Sequence, residues 1–141
     1  MPPNPPLPEA VAHEASRWLQ YARDDLATAQ ALLRLPSAPP RHAAWHAQQA
    51  AEKAIKAALV AEQRTFPFIH DLDRLLSLLP ITWGVHRVDV KWEALTDFAV
   101  DARYPDDLDD VSAAEAEAAV ADAERVVESV SAELAPLLGG A

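Results

Sequence analysis

Residues 45–64 read WHAQQAAEKAIKAALVAEQR, and the fold class turns on them. The stretch has no glycine or proline and is built of strong helix formers, so it predicts a helix of about five turns. At about 100° per residue, Ala47, Ala50, Ala51, Ala54, Ala57, Ala58 and Ala61 cover one broad face of small side chains. Ile55 and Leu59 extend that face on one side, and His46, Gln49, Lys53 and Lys56 form a polar stripe on the other. Alanines let neighbouring helices approach closely, so the broad face reads as the packing surface. The polar stripe is where chemistry would sit.

Working outward, five prolines within residues 1–8 predict an extended, flexible tail. From about Pro8 to Leu35, Val11, Ala15, Trp18, Ala22, Leu26, Ala29 and Leu33 recur at three- and four-residue steps, which predicts a first helix. Pro36, Pro39 and Pro40 break it before the central helix. After Thr65-Phe66-Pro67, Leu72, Leu75, Leu76 and Leu79 share one face of a shorter helix over 71–79, closed by Pro80. Residues 82–87 hold the internal glycine, Gly84, and read as a loop. Val88, Trp92, Leu95, Ala99 and Ala102 predict a fourth helix to about Ala102. Ser112 and Glu115 have capping-box spacing and open a last helix, along which Ala113, Ala116, Val120, Ala123, Val127, Val130 and Leu134 make a narrow seam suited to helix pairing.

No segment alternates apolar and polar residues in the manner of a strand. The expected fold is therefore all-α: an antiparallel up-and-down bundle of four long helices plus one short one, spanning 9–138 as a single domain. Scarce glycine, three in 141 residues, supports helix over sheet.

Composition excludes several function classes. The formal net charge of −10 would repel bulk nucleic acid unless basic residues cluster locally. The absence of cysteine excludes disulfide and thiolate chemistry. No apolar run approaches the ~18 residues of a membrane span. The opening residues lack the basic start and apolar core of a signal peptide, so a cytoplasmic location is the expectation.

Four groups of residues carry candidate chemistry. Along one helix edge, His46, Lys53 and Lys56 can neutralise phosphate oxygens while Gln49 donates to a base or ribose; alternatively the stripe is a solvated face, with Glu52 pairing to Lys56 at i,i+4. Asp71 is placed to cap the short helix, with His70 beside it as a structural donor or a ligand-binding group. At the end of the fourth helix, Arg103 can bind phosphate and Tyr104 can stack on a base, or the two can serve as a helix-end charge and a core-edge ring. Asp106, Asp107, Asp109 and Asp110 read as a solvated turn, with a cation site as the minor alternative. His42 and His46 lack a third metal ligand at a predictable spacing, so no metal centre is expected.

The pattern HxQQAxEKAIKAAL, followed by His70-Asp71-Leu72 and Arg103-Tyr104-Pro105 and preceded by Asp25-Leu26, resembles the HEPN family (higher eukaryotes and prokaryotes nucleotide-binding). The resemblance runs from about Trp18 to Val130. It implies a compact bundle that commonly dimerises, a link to nucleotides such as ATP or GTP, with or without Mg²⁺, and a separate minimal nucleotidyltransferase as partner, sometimes as a toxin–antitoxin pair. On that reading Lys53, Lys56 and Arg103 hold phosphates, and His46, Gln49, His70 and Tyr104 orient the ligand. The alanine face and the seam of the last helix are the surfaces on which a homodimer would rest.

Ribonucleolytic members of the wider group carry an arginine followed at short range by histidine. Arg41 and His46 have that spacing, but they lie far upstream of the family's position, and no histidine follows Arg103. A metal-independent RNase toxin using Arg41 with His46, or His46 with Arg103, is therefore the second reading, and a ligand-free interaction module the third. Binding without self-sufficient catalysis is the first.

Overall fold

A computed structural model describes residues 5–99 and 111–139 of the chain. Among these residues the secondary structure is helical throughout: α1 (Glu9–Leu33), α2 (Pro40–Ala61), α3 (Leu72–Ser77), α4 (Trp92–Asp97) and α5 (Ala113–Leu134), with 3₁₀ turns at Gly84–Arg87 and Ala135–Leu138. The all-α bundle is as the sequence indicates, but three helices are long and two are short. The expected fourth long helix is the one that shrinks. Val88 is extended (ψ 145°), so the step from Val88 to Trp92 is not helical, and three-residue hydrogen bonds from Phe98 and Ala99 tighten the other end. The remainder of that expectation, residues 100–102, lies outside the described residues.

α2 is the centre of the molecule, packed on both α1 and α5. It begins five residues before Trp45, because Pro40 occupies the first helical position, where a missing N–H leaves no bond unmade. It ends at Ala61, where Gln63 takes the left-handed conformation (φ +54°) and Arg64 N–H returns to the Leu59 carbonyl. The alanine face is wholly enclosed: Ala47, Ala50, Ala51, Ala54, Ala57 and Ala58 have no exposed area. Ala116, Val120, Ala123, Val127, Val130 and Leu134 of the α5 seam are buried as well. Both surfaces on which a homodimer was expected to rest are thus core within one chain, apart from Ala113 at the start of the seam, which is exposed.

Contacts at the helix ends fix the topology. Asp25 of α1 meets His46 and Lys53 of α2, and Trp18 meets Lys56, so rising numbers on one helix pair with falling numbers on the other. Leu7 N–H donates to the Leu137 carbonyl at 3.0 Å, placing the start of α1 beside the end of α5. α1 therefore runs antiparallel to both neighbours, and the segment carrying α3 and α4 brings the chain back up before α5 descends. Residues 5–8 of the expected flexible tail are pinned by this contact, with Leu7 packed on the core.

Local chemistry sets the ends of the other elements. Ser112 and Glu115 form the reciprocal capping box, at 3.0 and 3.1 Å. Asp71 caps α3 by accepting from Arg74 N–H at 3.3 Å. The Thr96 hydroxyl accepts from Leu72 N–H at 3.1 Å and ties α4 to α3. No helix among the described residues is long and apolar enough to cross a membrane.

Candidate functional site

Two carboxylates organise the polar stripe of α2. Asp25 projects from α1 because its neighbour Leu26 is turned into the core. Its Oδ1 lies 3.0 Å from His46 Nδ1, and its Oδ2 accepts from Lys53 Nζ at 2.5 Å. An ionised carboxylate only accepts, so the imidazole proton on this side resides at Nδ1. The His46 and Lys53 side chains are each 27% exposed and that of Asp25 14%. This first centre is a half-open seam between α1 and α2.

Glu52 organises the second centre on the adjoining edge of α2; Glu52, Gln48 and Lys56 are buried, and the exposed His70 closes it from outside. Its Oε1 accepts from Gln48 Nε2 at 3.1 Å and from His70 Nδ1 at 2.8 Å, and its Oε2 accepts from Lys56 Nζ at 3.0 Å. Gln48 also donates to the His70 carbonyl at 3.2 Å and accepts from Gln49 at 2.7 Å. The Lys56 ammonium lies 5.4 Å from the Trp18 ring and 5.6 Å from the Phe66 ring, which meet edge to face at 6.0 Å. Burial acts to raise the Glu52 pKa, but hydrogen bonds from His70, Gln48 and Lys56 outweigh it and hold the carboxyl below its ordinary 4.5. No buried side-chain polar atom among the described residues lacks a partner. A satisfied charged cluster of this kind is rigid, and removing one member leaves another exposed to a low-dielectric surrounding.

The stripe predicted from spacing is therefore brought together, but it is not a solvated face. Gln49 is 9% exposed and Lys56 7%, because α1 covers one flank and the segment from Phe66 to His70 covers the other. Glu52 does pair with Lys56 at i,i+4, as an interior pair. His70, expected beside the α3 cap, reaches back to Glu52 and fastens the connection to α2. Arg41 lies exposed in the first turn of α2, and five residues of helix separate it from His46 by about 140° around the axis, so the two do not converge. Arg103, Tyr104 and the acidic run from Asp106 to Asp110 lie outside the described residues.

Sequence reasoning missed the organisers. Asp25 stood only as part of a pattern, Glu52 only as a surface partner, and Gln48 was passed over. Their signal was the recurrence of acid, amide and base at three- and four-residue steps across two helices. The described residues contain no group of three or more His, Cys, Asp or Glu placed to hold a metal ion.

Comparison with known proteins covers both centres. The model of the family described as HEPN domain matches residues 15–133. The chain is similar to a solved crystal structure, that of TT1696 from Thermus thermophilus, at 30% identity and a TM-score of 0.67, over 84% of this chain and 97% of that one. A search of curated proteins gives no match.

Proposed function

Because this chain belongs to the HEPN domain family, we propose that it is a nucleotide-binding helical subunit that works beside a separate minimal nucleotidyltransferase. The observation that carries this reading is the convergence of His46 and Lys53 on Asp25 at a half-open seam. Asp25 fixes both donors in place, the Lys53 ammonium and the His46 imidazole. The seam thus offers an ammonium group and a ring N–H donor at an opening between two helices, in a chain of net charge −10, which suits a compact anion such as a nucleotide phosphate better than a long polyanion. Gln49 lies between His46 and Lys53 on the same edge. Lys56 belongs to the scaffold in this reading, since Glu52 and two rings enclose its ammonium.

The test is equilibrium binding of ATP and GTP, with and without Mg²⁺, to the wild type, Lys53→Ala and His46→Ala. Loss of a charge-assisted contact weakens binding by roughly ten- to a hundredfold. Absence of binding by the wild type sinks the nucleotide reading for the isolated chain. The partner half is tested first by whether a minimal nucleotidyltransferase is encoded beside this chain and then by co-expression; absence of such a neighbour, or failure of the two to co-purify, removes that half of the proposal.

One observation favours RNA cleavage as a second reading. Asp25 orients the His46 ring as a general base requires. Cleavage that persists in His46→Ala removes it.

A further inference from the structure

The seam between α1 and α2 continues past Asp25 to a pair of side chains outside the sequence-predicted site, Arg17 and Tyr21. The antiparallel register places them. Asp25 stands opposite the middle of the span from His46 to Lys53, and Trp18 opposite Lys56, so Tyr21 comes level with Lys53. Tyr21 is one turn from Asp25 on α1 and shares its side of the helix. Its ring is 45% exposed. Its hydroxyl accepts from the Arg17 guanidinium at 2.9 Å, and the guanidinium carbon lies 5.8 Å from the ring centre. The ring therefore has a partner at its far end and a face open to solvent, and any ordering that the Arg17 contact supplies reduces the entropy lost on stacking.

We propose that Tyr21 is the platform on which the base of a nucleotide stacks, with Arg17 as the group that holds the ring. This inference rests on the reading that a nucleotide's phosphate lies at Lys53 and His46. The two donors meet at Asp25, about 6 Å along the α1 axis from Tyr21, a separation that a ribose bridges between a base and its 5′-phosphate. A ring on Tyr21 and a phosphate at Asp25's two partners are therefore compatible with one mononucleotide lying along the seam. Every base has a π-face, so the platform selects for a nucleoside phosphate over inorganic phosphates without choosing strongly among bases.

The test compares ATP with inorganic triphosphate, which has the charges and no base, on wild type, Tyr21→Phe and Tyr21→Ala. Tyr21→Ala is expected to weaken ATP roughly five- to a hundredfold, the range for one base stacked on an aromatic ring, and to leave triphosphate affinity unchanged. Tyr21→Phe keeps the ring and is expected to stay within a few-fold of wild type. ATP affinity unchanged in Tyr21→Ala overturns the platform while leaving the phosphate site at Lys53 standing. Equal weakening of ATP and triphosphate also overturns it, because the ring then acts through the fold or through Arg17. Wild type that binds neither compound overturns the nucleotide reading itself, and the platform with it.

Discussion

Replacing Glu52 by glutamine keeps the shape of the second centre and removes its negative charge. Glu52 is 3% exposed and Lys56 7%, so the substitution leaves an ammonium group away from water with no counter-ion. Removing one partner of a buried ion pair costs about 3–5 kcal/mol. The Trp18 and Phe66 rings offset part of this, by about 0.5–2 kcal/mol for a cation partly stripped of water. The expected net loss is therefore about 1–4.5 kcal/mol, or roughly 3–18 °C in Tm for a chain of this size. Urea denaturation followed by circular dichroism reads it directly. Lys56→Met on the Glu52→Gln background removes the stranded charge, so the double variant is expected to be more stable than the two single losses predict, with a coupling above about 1 kcal/mol. A loss below about 1 kcal/mol for Glu52→Gln, together with additivity in the double variant, would refute the claim that this pair is shielded from water.

The same carboxyl gives an acid limb to stability. Its folded pKa lies below the ordinary 4.5, so its contribution is complete above that value and drains away as pH falls through the folded pKa; denaturation midpoints measured from about pH 6 to 3 should fall less steeply in Glu52→Gln than in wild type. Gln63 occupies left-handed backbone, so Gln63→Gly is expected to raise stability by up to about 1 kcal/mol, and a loss in urea melts would contradict the conformation at the end of α2. Ser112→Ala deletes half of the capping box and is expected to cost about 1 kcal/mol in the same assay, whereas an unchanged midpoint means the cap contributes nothing. A side chain at Gly84 would meet the Glu133 carboxylate at 2.7 Å and displace it from the Gly84 N–H; Gly84→Ala is expected to cost about 1–2 kcal/mol, and Glu133→Ala added to it little more.

Periodicity alone exposed the long helices, the alanine face and the capping box, because these are properties of one helix and its own register. The position of the polar stripe was also legible. Its burial was not, since that depends on what crosses it: Trp18 and Asp25 from the preceding helix, and the Phe66–His70 connection, whose backbone follows no repeat. The same limit explains α4. Val88, Trp92, Leu95 and Ala99 have helical spacing because they face a common core, and an extended stretch of backbone followed by a single short helix can present them to it equally well. Pro40 misled in the opposite direction, since a proline that breaks one helix can begin the next.

The hydrogen bond from Leu7 to Leu137 makes the backbone almost a closed ring. Residues near the two ends of the described chain emerge at the same pole, beside the ends of α2 and α5. In mechanical terms the two ends are a single anchorage, so a tether at either one loads the same pole. The ring can in principle be joined there by a short linker and opened at the exposed turn after Ala61 without changing which helices meet. The order of the helices along the chain is then incidental to the seam between α1 and α2, which needs only their antiparallel contact.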